Sequence, residues 1–153
     1  MVIKLLSGNG MVAGLQIPVK IRLRMEIIRE ETKENLELTS FGQYYQKEQK
    51  AFLRYSEYLE PGTVHTMVKW DGNRMEIFRR GAIEMRMAFQ RGAVLTGTYK
   101  TPFGTFLVKT CTKQMEFLWD AHQKRGDILV TYRFFIEEDE IGDYKMKIQF
   151  EEK

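Results

Sequence analysis

The chain has 153 residues, a net charge of +3 and a single cysteine. Hydrophobic residues make up 43% and charged residues 29%, a composition typical of a folded domain and not of a disordered chain. No apolar run approaches the roughly 20 residues of a membrane-spanning helix. A charge of +3 is too small to indicate a nucleic-acid partner. Because Cys111 has no second cysteine with which to pair, we expect a reducing, cytoplasmic location.

Residues 1–14 read as an N-terminal extension, flexible in part, ahead of one domain over residues 15–153. The apolar stretch at its start is interrupted by polar and glycine residues at 7–10. A secretory core needs about 7–15 apolar residues, so we expect no export signal. The sequence allows either Met1 or Met11 as the first residue of the protein.

From residue 15 onward, apolar and polar residues alternate with a period of two, which predicts strands with one buried and one wet side. The first such row contains Leu15, Ile17, Val19, Ile21, Leu23, Met25 and Ile27. Further rows follow along the chain to its end. The turn signals between them include residues 70–74, 91–92, 101–104 and an acidic turn at 137–140. One weak helix is predicted over Thr112 to Lys124, where Met115, Phe117, Leu118 and Trp119 depart from alternation.

About ten strands joined by short turns indicate an all-β domain. Long neighbouring strands expose their edges unless the sheet closes. The pattern therefore predicts one antiparallel, mostly up-and-down closed barrel of about 8–10 strands.

Several short segments between residues 63 and 113 resemble the YwiB-like family of small bacterial proteins. The matching segments are Val64-His65-Thr66-Met67-Val68-Lys69, Arg80-Gly81-Ala82, Gly97-Thr98-Tyr99-Lys100, Phe103-Gly104 and Lys109-Thr110-Cys111-Thr112-Lys113. The resemblance implies a calycin-like, lipocalin-related barrel in the cytoplasm of Gram-positive bacteria. It implies no activity and no catalytic residues.

The residues that could carry catalysis form no recognisable motif. His65 falls at an outward strand position and His122 in a charged loop, and neither has a serine or cysteine at motif spacing. Cys111 lies between two lysines that could activate a thiol, but we favour a strand residue without a role. The acidic turn lacks the spaced ligands of a calcium loop. We therefore expect no metal and no cofactor, and we rank an enzyme last among the possible functions.

The inward-facing rows combine polar and apolar residues. Their hydroxyl groups belong to Thr66, Tyr99, Thr110, Thr112 and Tyr132. A barrel of this size has room for one small ligand, and a few polar groups in an apolar cavity suit an amphipathic molecule. The alternative is a packed core in which these hydroxyls bond one another or the backbone. We expect these five residues to line the ligand site, if the barrel has one.

Basic residues on the outer rows suggest a second interpretation. The candidates are Lys20, Arg22, Arg24, Arg79 and Arg80. With outward aromatic residues, such a face could bind single-stranded nucleic acid, although we favour a solvated face. The functions in order of preference are a binder of a small apolar or amphipathic ligand, a structural or interaction module that contacts protein or RNA, and an enzyme.

Overall fold

The computed structural model describes residues 16–153, and the predicted extension over residues 1–14 lies outside them, together with Leu15. The described part contains ten strands. They are β1 (Gln16–Arg29), β2 (Thr32–Lys47), β3 (Lys50–Leu59), β4 (Gly62–Trp70), β5 (Met75–Gly81), β6 (Glu84–Phe89), β7 (Val94–Thr101), β8 (Gly104–Asp120), β9 (Arg125–Ile136) and β10 (Asp139–Glu152). Among residues 16–153 there is no helix long and apolar enough to cross a membrane.

Each strand pairs antiparallel with its neighbours in the chain, and β1 pairs with both β2 and β10, so the sheet closes into a barrel. The predicted all-β, up-and-down closed barrel is confirmed, and strands make up 82% of the structure. Closure leaves no strand edge unpaired along the long strands β1 and β10, which removes the hazard of edge-to-edge aggregation. The barrel has two ends: the β1–β2, β3–β4, β5–β6, β7–β8 and β9–β10 turns surround one, and the remaining turns surround the other.

The alternation that predicts the strands also assigns the core. In β1, Val19 and Ile21 have no exposed surface, whereas Lys20 and Arg22 between them are exposed. The same alternation fills the middle of the barrel from the other strands with Leu53, Val68, Val108, Ile128, Val130 and Ile148, all fully buried. Apolar burial of this kind is the main favourable contribution to folding.

The turn between β4 and β5 forms where the sequence predicts it. The Asp71 carboxylate accepts hydrogen bonds from the backbone N–H groups of Asn73 and Arg74, at 2.9 and 2.7 Å. Gly72 has a φ of 98°, which glycine adopts without steric cost. Residues 91–92, 101–104 and 137–138 also form turns, as predicted.

The helix predicted over Thr112 to Lys124 is wrong, because β8 continues as a strand to Asp120. The register to β9 shifts between Thr112 and Gln114, which makes Lys113 the extra residue of a β-bulge. Even-numbered side chains face inward before the bulge, and Met115, Phe117 and Trp119 face inward after it. This change of parity breaks the alternation that the sequence pattern relies on.

An aromatic cluster seals the end of the barrel opposite the β1–β2 turn, and we call it the closed end. Its members are Tyr44, Trp70, Phe117, Trp119 and Phe150. Trp70 stacks on Phe117 with ring centroids 5.6 Å apart, and Trp119 stacks on Phe150 at 5.9 Å. A Cβ atom at Gly126 would overlap the Phe150 ring, so glycine is required there for the cluster to close.

Candidate functional site

The opposite end of the barrel is less completely filled, and we call it the half-open end. Several inward-facing apolar side chains on this half of their strands pack against the core yet stay partly exposed. They are Leu23, Met25, Leu38, Met85, Tyr99, Ile136, Ile141 and Tyr144. These side chains leave apolar surface accessible at this end of the barrel.

A charged pair lies on the inner wall of the half-open end. The Arg79 Nη2 atom of β5 lies 3.0 Å from the Glu57 Oε2 atom of β3, and the side chains are 21% and 13% exposed. The hydroxyl group of Thr66 on β4 donates to the Glu57 Oε1 atom at 3.0 Å. Both ions lose most of their hydration, and mutual attraction offsets such a loss only where the geometry is good and further hydrogen bonds satisfy the remaining donors and acceptors.

Four tyrosines share this half of the barrel. Burial raises the pKa of the Tyr55 and Tyr132 phenols well above the ordinary value, and the positive charge of Arg79 opposes this effect on both. Arg79 and Tyr132 belong to β5 and β9, which are not neighbours in the barrel, and both side chains face the lumen. Tyr144 lies against Tyr132 at 5.3 Å between ring centroids, and Tyr99 is half-buried.

The five hydroxyl residues predicted to line a ligand site all face the interior, but they differ in how their hydroxyl groups are used. Those of Thr66 and Thr110 donate within the wall, to Glu57 and to the backbone carbonyl of Ala88. Thr112 is buried, and its hydroxyl finds no partner among the described residues. The first two agree with the packed-core alternative. Thr66, Tyr99 and Tyr132 all lie close to the half-open end, and these three remain candidates for contact with a ligand there.

Glu57 and Arg79 were not predicted as members of the site. Glu57 continues the inward row of Ala51, Leu53 and Tyr55, and Arg79 continues that of Met75 and Ile77. The parity of the rows could therefore have placed them inside. Their charge argued against this position, because ionised side chains are rarely buried unless they are paired.

The placement of Arg79 among the outer basic residues is therefore wrong, since its side chain points into the lumen. The other four predicted members face outward. Arg24 forms an ion pair with Glu37 at 3.4 Å, and Lys20 and Arg22 line a groove of about 200 Å³ on the outer wall.

His65 and Cys111 also lie outside, as predicted, and His65 Nδ1 is 3.0 Å from the Ser56 hydroxyl. Among residues 16–153 no group of three metal-ligating side chains converges.

These features define the class of protein as a closed, ten-stranded, antiparallel β-barrel with one sealed and one half-open end. The chain belongs to the family described as "Domain of unknown function (DUF1934)", whose model matches residues 21–148.

Two comparisons agree with this assignment and confirm the resemblance found in the sequence. The "Uncharacterized beta-barrel protein YwiB" of Bacillus subtilis (strain 168) is 29% identical over 136 residues, which cover 89% of this chain and 94% of that protein. The crystal structure of the ywiB protein from Bacillus subtilis is similar with a TM-score of 0.82 and 27% identity. That match covers 96% of this chain and 99% of the other.

Proposed function

We propose that this chain binds a small amphipathic molecule at the half-open end of the barrel. The observation that carries the proposal is the Glu57–Arg79 pair, which lies inside the lumen among partly exposed apolar side chains. A buried ion pair stabilises a fold no better than apolar residues of the same size. Its position is explained if the polar groups serve a ligand.

The depth of the proposed site is limited by packing. Ile21, Val68, Val130 and Ile148 fill the middle of the barrel, so a ligand would reach only the level of the charged pair. A ten-stranded barrel is wider than the eight-stranded barrels whose interior is just filled by side chains or holds one small ligand. The extra width supports a site at the less densely filled end.

The chemistry of the lining suggests how the molecule would be oriented. A guanidinium has five N–H donors, and Glu57 takes one of those of Arg79. The remaining donors and the Tyr99 hydroxyl suit a head group that accepts hydrogen bonds. Leu23, Met25 and Met85 suit an apolar tail. Because Glu57 already balances the charge of Arg79, the head group is neutral or a weak acid.

A thermal-shift screen of fatty acids, acyl conjugates and small aromatic compounds tests the proposal. A ligand that binds only the folded state adds about 2.7 kcal/mol of stability at a hundredfold excess over its Kd. In Tyr99→Phe, which keeps the ring and removes one hydroxyl, we expect affinity to weaken by about 0.5–1.5 kcal/mol. Tyr58→Phe is the matched control, since the Tyr58 side chain is 82% exposed on the outer wall.

Two results would contradict the proposal. One is a complete screen in which no compound raises the melting temperature. The other is a ligand whose affinity falls equally in Tyr99→Phe and Tyr58→Phe, because this would place its binding outside the half-open end.

A further inference from the structure

A row of polar and aromatic side chains crosses the outer wall of β1 to β5. The register pairs Lys20 with Phe41, Ser56 with His65, and His65 with Arg80. The β2–β3 pairing ends at Gly42 and Tyr55, one residue short of Phe41 and Ser56, and the Ser40 hydroxyl donates to the backbone carbonyl of Ser56 beside them. Four strand spacings of about 4.8 Å make the row about 19 Å long.

Four cations lie in or beside this row, and we call the resulting surface the basic band. They are Lys20, Arg22, Arg54 and Arg80. All four are exposed, and among residues 16–153 none of them forms an ion pair. By contrast, Arg24 and Arg86 on neighbouring outer positions are paired with glutamates. Glu151 of β10 is the cross-strand neighbour of Lys20, and it lines the same outer groove as Lys20, Arg22 and Asp127 without forming an ion pair with either cation. At the other end of the band, Glu84 of β6 is paired with Lys100.

Exposed aromatic rings accompany these cations. Phe41 is 55% exposed in the row itself, and Tyr58, two residues beyond Ser56 on β3, is 82% exposed. Lys153 Nζ lies 4.9 Å from the centroid of the Phe41 ring, which brings a further cation to the band. These two rings are isolated on the wall and are not part of a large apolar patch, and their exposed faces are available for stacking.

We propose that the basic band binds single-stranded nucleic acid. Proteins that bind single strands without strong sequence preference combine a positive track for the phosphates with aromatic rings on which the bases stack. Unpaired cations with exposed rings among them meet both requirements. A duplex hides its base faces, and a polyanion without bases gains nothing from the rings. The band is independent of the proposed ligand site, because its side chains lie on the opposite side of the wall.

Fluorescence anisotropy with labelled oligouridine and oligodeoxythymidine of about 15 nucleotides tests the proposal. We expect binding at about 50 mM salt that weakens towards 200 mM, with a log–log slope near −3 if four cations contact phosphates. In the double variant Arg54→Gln/Arg80→Gln, affinity should fall about tenfold or more. The matched control Lys145→Gln/Lys147→Gln removes two exposed cations from β10 and should stay within about twofold of the unmodified protein.

The double variant Phe41→Ala/Tyr58→Ala separates stacking from charge. We expect it to weaken oligonucleotide binding about tenfold or more and to leave the affinity for heparin unchanged. Tighter binding of the RNA oligomer than of the DNA oligomer would indicate contacts to the 2′-hydroxyl. All substituted residues are exposed or on the outer wall, so unchanged melting temperatures should show that the variants fold.

Three results would overturn the proposal. The first is no binding of either oligomer at low salt. The second is an equal loss in the arginine and the lysine variants, which would reflect net charge alone. The third is full affinity in Phe41→Ala/Tyr58→Ala, which would show that the band binds polyanions through its cations alone, without base stacking.

Discussion

Two consecutive arginines of β5, Arg79 and Arg80, lie on opposite faces of the barrel wall. Arg79 lies inside the lumen with Glu57, whereas the next residue, Arg80, is exposed on the outer wall. Removing either member of the inner pair would leave the other charge poorly solvated, which is more costly than losing an exposed ion pair. In the two proposals made above, the inner arginine would contact a ligand in the barrel and the outer one a nucleic acid on the surface.

The buried phenols make the protein sensitive to alkali. Burial raises the pKa of Tyr44, Tyr55 and Tyr132 above the ordinary value of 10.0. An unfolded chain loses these protons first, so the stability they contribute is complete below about pH 10 and is lost as the pH rises above it. We expect the phenolate absorbance of these residues to appear together with cooperative unfolding.

Single substitutions check this dependence on pH. Tyr132→Phe should move the alkaline unfolding midpoint to higher pH, because one of the ionisations that favour unfolding is removed. Tyr58→Phe on the outer wall should leave the midpoint where it is. Equal midpoints in Tyr132→Phe and the unmodified protein would contradict the burial of that phenol.

At the scale of the strand, alternation predicts which residues face inward as long as the parity holds. It holds along β1, where all odd-numbered residues from Ile17 to Ile27 face the core, and this strand could be predicted in full. It fails at Lys113 in β8, since one inserted residue changes the parity of everything that follows. The site was only partly predictable for a different reason. Glu57 and Arg79 can be buried because they pair with each other, and they belong to strands β3 and β5, which the alternation within one strand does not relate.

The bulge in β8 can be tested by deletion. Without Lys113 the inward row would run without interruption from Thr112 to Met115, so we expect a folded barrel with a loss of about 0.5–3 kcal/mol. Deletion of Lys109 instead would turn one part of β8 inside out and should abolish the cooperative transition. Circular dichroism melts measure both variants, and a ΔLys113 protein that is as unfolded as ΔLys109 would contradict the assignment of the bulge.

The described part of the molecule is a closed barrel whose wall has an inner and an outer face and whose two ends differ. The aromatic cluster closes one end, and the partly exposed side chains around Arg79 leave the other end accessible. Because the sheet is closed, the residues on both faces of the wall are held by the hydrogen bonds of neighbouring strands on either side. A small ligand at the half-open end and a nucleic acid on the basic band could thus be bound without large rearrangement.

Methionines on both halves of the barrel allow the proposed ligand site to be located directly. Met25 and Met85 lie at the half-open end, Met75 and Met115 are fully buried towards the closed end, and Met67 faces outward. We would titrate the compound that gives the largest thermal shift and record methionine methyl NMR spectra, assigned by single Met→Leu variants. The proposal predicts shifts at Met25 and Met85 with little change at Met75, Met115 and Met67. Shifts confined to Met67, or to Met75 and Met115, would contradict binding at the half-open end.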